Sequence, residues 1–152
     1  MIVKAIKTQK VLPNSQIIFE FLDKSLKKLE EGSIVAITSK VISLCEGQVV
    51  PLGSIDKEKL IKQEADYYLP VHISRYGYHF TIKDRTLISA AGIDESNAGD
   101  NYVLWPRNSQ KTANEIREYL KQKFKMRNLG IIITDSTCLA LRYGTIGTAL
   151  AY

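Results

Sequence analysis

Three apolar runs of the chain end in clusters of residues able to handle phosphates, carboxylates and hard cations. Ile34 to Ile37 leads into Thr38-Ser39-Lys40, Leu87 to Ile93 into Asp94-Glu95-Ser96-Asn97, and Ile131 to Ile133 into Thr134-Asp135-Ser136-Thr137. In open α/β sheets, ligands bind beyond the carboxyl ends of strands, where loops expose charge that the strands hold rigidly. Asp94 and Asp135 would project toward one edge if their strands lie side by side and run in one direction. Paired carboxylates with a nearby hydroxyl, here Ser136, are the oxygen ligands that Mg²⁺ or Mn²⁺ takes alongside phosphate oxygens. Lys40 would neutralise a phosphate, and Arg142 in Leu141-Arg142-Tyr143-Gly144 would clamp a carboxylate or phosphate bidentately. Each residue also has an ordinary explanation, since an Asp after a strand serves as a helix cap or turn former and a surface Lys or Arg is commonly solvated. Taken together they point to metal-nucleotide chemistry. The sequence has no GxxxxGK[ST] and no GxGxxG, so a nucleotide would be held by some other arrangement. His72 and His79 flank an alternating segment without metal-ligand spacing and read as structural.

The elements that must position these residues read as a mixed α/β (α+β) fold, a mixed sheet with flanking helices. A strand is expected over Ile2 to Ile6, then a helix from Ser15, its cap, to Leu29, with Ile17, Ile18, Phe21, Leu22, Leu26 and Leu29 at helical spacing. Ser33 to Thr38 is a buried strand. Lys57 to Leu69 predicts a more polar helix stopped by Pro70, and Tyr76 to Ile82, the turn Lys83-Asp84-Arg85 and Thr86 to Ala90 an antiparallel hairpin. Asp94 to Asn101 is a loop by composition, and Tyr102 to Trp105 a brief strand before Pro106. Asn108 or Ser109 caps a basic helix whose buried stripe is Ala113, Ile116, Leu120 and Phe124, and Ile131 to Thr134 is the clearest strand.

The composition bounds the classes. At 152 residues, 45% hydrophobic and 24% charged, the chain makes one domain large enough to hold a core without metal or disulfides. Its two cysteines, Cys45 and Cys138, lie far apart and form no CxxC, which argues for a reducing, cytoplasmic setting. No run of 18 apolar residues and no secretory leader pattern is present, so no membrane association is expected. The net charge of +5 is concentrated between Arg107 and Arg127, where Lys111, Arg117, Lys121, Lys123 and Lys125 add to the two arginines against Glu115 and Glu118. A nucleic-acid footprint and a solvated helix face both fit. The missing aromatic interleaving favours the second, so no nucleic-acid partner is expected. The last residues, Thr145 to Tyr152, are apolar and β-compatible, which fits a chain cut within its core or a terminal strand in a sheet.

Three blocks carry a further signal. Thr38-Ser39-Lys40-Val41-Ile42-Ser43 with Glu46-Gly47, then Ala91-Gly92-Ile93-Asp94-Glu95-Ser96-Asn97, then Ile131-Ile132-Ile133-Thr134-Asp135-Ser136 with Arg142 and Gly144, resemble the coenzyme F-420-0:L-glutamate ligase family, the γ-glutamyl ligases of deazaflavin biosynthesis. The order and rough spacing match over nearly the whole chain. This resemblance implies an enzyme dependent on GTP (or ATP) and on Mg²⁺ or Mn²⁺, joining L-glutamate by its amine to a γ-carboxylate through an acyl phosphate. It also implies that Asp94 and Asp135 hold one metal, that Ser136 helps hold a second, and that Asn97, Leu12, Pro13, Ser39 and Lys40 contact the nucleotide. Asp94, Asp135 and Arg142 are the implied catalytic set, and an intertwined homodimer the implied assembly.

The chain departs from the family pattern at Ala90, at Leu44 and at Cys138-Leu139. Those positions suit a folate-like acceptor at least as well as a deazaflavin one. Family members continue for roughly half this length again, so the resemblance implies the amino-terminal portion of a longer ligase. The alternative is a catalytically silent relative acting as a nucleotide-binding or dimerisation module. A nucleic-acid-binding domain built on the basic helix stands behind both.

Overall fold

The computed structural model describes residues 2–95, 99–138 and 141–152. In chain order these form helix α1 (Ile18–Ser25), strand β1 (Ile34–Thr38), α2 (Ser39–Glu46), β2 (Val49–Pro51), α3 (Lys57–Glu64), β3 (Tyr67–Tyr68), β4 (Phe80–Lys83), β5 (Thr86–Ser89), β6 (Asn101–Val103), α4 (Ser109–Phe124), β7 (Gly130–Thr137) and β8 (Ile146–Ala151). Single 3-10 turns lie at Val71–Ile73 and Ala90–Gly92. The fold is mixed α/β with flanking helices, as the sequence pattern predicts.

The described residues make three sheets, ordered β1-β7-β8, β2-β6 and β3-β4-β5. Strand β1 runs parallel to β7 in the register Ile34↔Gly130 to Thr38↔Thr134, and β7 pairs antiparallel with β8. β-branched residues fill β1 and β7, and their inward set, Val35, Ile37, Ile131 and Ile133, packs on Ala113, Ile116 and Leu120 of α4 and on Phe21 and Leu22 of α1. A smaller second cluster gathers Leu60, Ile61, Ala91, Ile93 and Tyr102. Successive residues of β6 serve the two clusters in turn, Tyr102 the second and Val103 the first, as strand alternation requires.

Several elements differ from the sequence expectation, each for a local reason. Residues 2–6 form no strand; Ile2, Val3 and Ile6 are exposed and find no ladder among the described residues. Ser15 does not cap α1, because its hydroxyl accepts from the Leu12 backbone N–H at 3.2 Å. The helix closes early at Ser25, whose hydroxyl donates back to the Phe21 carbonyl at 2.7 Å. Helix α3, capped by Asp56, stops at Glu64, since Tyr67 and Tyr68 pair with β4. Thr38-Ser39-Lys40 forms a direct strand-to-helix junction, β1 ending at Thr38 and α2 starting at Ser39.

The hairpin turns on Asp84 and Arg85, at φ +49° and +61°, the two positive values a two-residue type I′ turn needs. Asn108 caps α4 by accepting from the Lys111 N–H at 2.9 Å. Most of the helix's excess cations are already engaged: Lys111, Arg117 and Lys121 pair with Glu115 or Glu118, and Lys123 pairs with Asp23. The terminal apolar segment is β8, the outer strand of the main sheet.

Candidate functional site

Two of the three apolar runs lie as parallel neighbours. The register Thr38↔Thr134 sets the start of α2, with Ser39 and Lys40, beside Asp135. The third run does not join them. Leu87 to Ile93 breaks after Ser89 into a 3-10 turn in which Ala90, Ala91 and Gly92 all take positive φ, and β5 belongs to the separate β3-β4-β5 sheet. Asp94 therefore does not reach Asp135 as a strand neighbour. Nor does β7 end where the polar residues begin. It continues through Asp135, Ser136 and Thr137 because Thr148, Gly147 and Ile146 of β8 supply partners for them.

Asp94 is placed instead by β6. Its backbone N–H donates to the Val103 carbonyl at 2.9 Å, and the Val103 N–H returns the bond at 2.8 Å. From that anchorage its carboxylate meets the ammonium of Lys40 in a half-buried ion pair. Lys40 sits in the first turn of α2, so the first and second sequence blocks are joined through one charge pair.

The second and third blocks are joined through a residue that the motif reading passed over. Trp105, 4% exposed, follows β6 by two residues. Its indole Nε1–H donates to Asp135 Oδ2 at 2.7 Å, and the ring lies on Gly92, where an added Cβ would sit 2.1 Å from Nε1. The other carboxylate oxygen, Oδ1, accepts from the Ser136 backbone N–H at 2.9 Å. One signal could have found this residue: it is the sole tryptophan, and a buried indole N–H needs an acceptor.

The remaining candidates divide. Strand alternation keeps Asp135 in line with the inward Ile131 and Ile133 and turns the Ser136 side chain, which is exposed, to the opposite face. Leu12 and Pro13 line a cavity of about 220 Å³ with Lys10, Val11, Leu44 and Asn101. Ser39 is buried at the start of α2. The loop beginning at Asp94 returns to that cavity at Gly99 and Asn101, while Asn97 within it lies outside the described residues. Arg142 is exposed in the connection from β7 to β8 and forms no ion pair among the described residues. Among those residues no group of three or more His, Cys, Asp or Glu side chains converges on a cation. The donor set itself, carboxylates and hydroxyls without thiolate or imidazole, suits hard divalent ions. Glu46 of the first block has a structural task, accepting from the Arg107 N–H at 2.9 Å and from the Thr112 hydroxyl at 3.2 Å to fix the start of α4.

This constellation sits in a chain whose relatives can be named. Residues 4–152 match the profile of the F420-0:Gamma-glutamyl ligase family. The chain belongs to that family, a family of ligases. The Coenzyme F420:L-glutamate ligase of Methanopyrus kandleri is 30% identical over 139 residues, covering 81% of this chain and 55% of the relative. The enzyme of the same name from Methanocaldococcus jannaschii is 28% identical over 142 residues, covering 80% and 55%. The chain thus spans about half the length of the curated relatives it matches. No helix among the described residues is long and apolar enough to cross a membrane.

Proposed function

We propose that this chain works as a γ-glutamyl ligase using GTP or ATP and a divalent cation, joining the amine of L-glutamate to a γ-carboxylate of a deazaflavin or folate-like acceptor. Family membership supports the reaction class. The observation that carries the site is the spatial linkage of the three blocks, Lys40 to Asp94 and Gly92 through Trp105 to Asp135. In the proposed reaction a γ-carboxylate oxygen attacks the terminal phosphoryl group, giving an acyl phosphate and a nucleoside diphosphate. The glutamate amine then attacks the acyl carbon, phosphate leaves with the bonding pair, and the amine gives up a proton.

Both steps crowd negative charge, which Lys40 and Arg142 neutralise. Asp94 and Asp135 would hold one Mg²⁺ or Mn²⁺ ion, and Ser136, on the other face of β7 from Asp135, would help hold a second there; such an ion supplies charge neutralisation at the phosphates. Asp94, already paired with a cation in Lys40, would exchange one positive partner for another. Leu12, Pro13, Ser39, Lys40 and Asn97 contact the nucleotide in this reading, around the cavity that Leu12 and Pro13 line, and the working assembly is a homodimer.

Calorimetric titration of GTP, then ATP, with and without Mn²⁺ tests the proposal. Saturable binding that needs the metal and is lost in Asp135→Asn is the expected result. Retention of binding in that variant refutes the site. Nucleotide binding without product, with L-glutamate and each acceptor present, would favour the catalytically silent module.

A further inference from the structure

Trp105 lies between Gly92 and the Asp135 carboxylate. The indole N–H occupies Oδ2 and the Ser136 N–H occupies Oδ1, so the carboxylate is gripped from two directions. An aspartate χ2 is otherwise broad and nearly two-fold, free to present either oxygen in many orientations. An ionised carboxylate has about four lone-pair sites, and two donors leave about one open on each oxygen. The indole cannot swing toward Gly92, because the ring already stands so close to that residue that an added Cβ would meet it at 2.1 to 2.7 Å. Gly92 stands two residues before Asp94, and Asp94 is bonded through its backbone to Val103, two residues before Trp105. The ring is thus a strut between the Asp135 carboxylate and the segment that carries Asp94.

We infer that Trp105 is a positioning residue for the metal site: its indole N–H fixes the orientation of the Asp135 carboxylate, and its ring sets the distance from that carboxylate to the Asp94 segment. This rests on the metal-binding reading proposed above. Donors behind a ligating carboxylate commonly govern affinity by about 10- to 100-fold, and that is the loss expected when the indole N–H is removed. The motif residues alone would not carry the pre-arrangement.

Because Trp105 is the sole tryptophan of these 152 residues, the chain contains its own reporter. Mn²⁺ titrated into the wild-type chain should quench the tryptophan fluorescence saturably, with Mg²⁺ in excess restoring it. In parallel, the electron paramagnetic resonance signal of free Mn²⁺ gives the dissociation constant for the wild type, for Trp105→Phe, for Asp135→Asn, and for a chain carrying benzothienylalanine at position 105. That last side chain keeps the bicyclic shape and lacks the N–H, so it remains informative if Trp105→Phe fails to fold. About 10- to 100-fold weaker binding in the benzothienylalanine chain at an unchanged melting temperature supports the inference. Wild-type affinity there, with binding lost in Asp135→Asn, refutes the positioning role and leaves the metal site standing. No Mn²⁺ binding by the wild type, or wild-type affinity in Asp135→Asn, overturns the metal-binding reading and this inference with it. Binding without quenching places the ion away from Trp105 and also overturns the inference.

Discussion

Replacing Gly92 by alanine should damage the protein more than an ordinary glycine substitution, by an amount that the close approach of Trp105 determines. Gly92 has φ +72°, and its added Cβ would lie 2.1 Å from Trp105 Nε1 and 2.4 Å from Cε2. Gly53 has φ +80° and open space around the corresponding Cβ. Both substitutions incur the left-handed backbone cost of about 1–2 kcal/mol for an L-residue. Only Gly92→Ala adds overpacking, about 1–3 kcal/mol where a rigid, buried ring must shift. The totals are then about 2–5 kcal/mol for Gly92→Ala against about 1–2 for Gly53→Ala, a serious fraction of the roughly 5–15 kcal/mol that a domain commands. Urea unfolding followed by far-ultraviolet circular dichroism measures the difference directly. In a chain of this length 1 kcal/mol moves the melting temperature by about 2–4 °C, so the two variants should also separate on heating. Equal destabilisation of the two would mean that the indole does not lie against Gly92, and the strut between Asp135 and the Asp94 segment would fall with it.

Acid should loosen the ties between distant segments first. Lys123 and Tyr119 hold the Asp23 carboxyl below its usual value of 3.8, and the backbone N–H groups of Asn128 and Arg127 hold Glu31 below 4.5. A carboxyl whose folded pKa is depressed adds stability above its ordinary value and loses it as pH falls through the folded one. The melting temperature should therefore fall as pH drops below about 4, and fall less steeply in Asp23→Asn/Glu31→Gln; parallel slopes would remove these two groups from the account. The thiols should also differ: burial, aided by the charge of Glu46, pushes the Cys45 thiol up to about 11, whereas Cys138 is exposed. A disulfide reagent at mildly alkaline pH should modify Cys138 quickly and Cys45 only on unfolding, and two fast thiols per native chain would contradict that.

What the sequence made legible was whatever depended on period and on strong local chemistry. The helical stripe Ala113, Ile116 and Leu120, the runs Ile34 to Ile37 and Ile131 to Ile133, and the Asp84-Arg85 turn all appear near their expected places. Phe124 ends the stripe, packed against the same cluster but only partly buried. Residues 2–6 have the composition of a strand, but pairing is a tertiary event that composition does not guarantee. Thr38-Ser39-Lys40 does not by itself mark the start of α2, and only the structure shows that the chain coils directly off β1. The two aspartates were visible as chemistry, but their relation was not. Asp94 owes its place to a backbone bridge with Val103, and Asp135 owes its orientation to a tryptophan 30 residues away. Contacts of that kind leave no periodic trace.

The parallel pairing of β1 with β7 also governs when such a site can exist. Ile34 to Thr38 must find Gly130 to Thr134 across a loop of roughly 100 residues, whose closure alone costs about 4 kcal/mol of chain entropy. Contacts that distant form late and slowly. During synthesis, Lys40 and Asp94 can meet while the chain is still growing, but Asp135 joins them only after β7 has emerged. Until then the growing chain holds half of its charge arrangement and none of its main sheet. Folding intermediates should therefore expose the apolar edge of β1, making the interval before β7 arrives the one in which aggregation competes with folding.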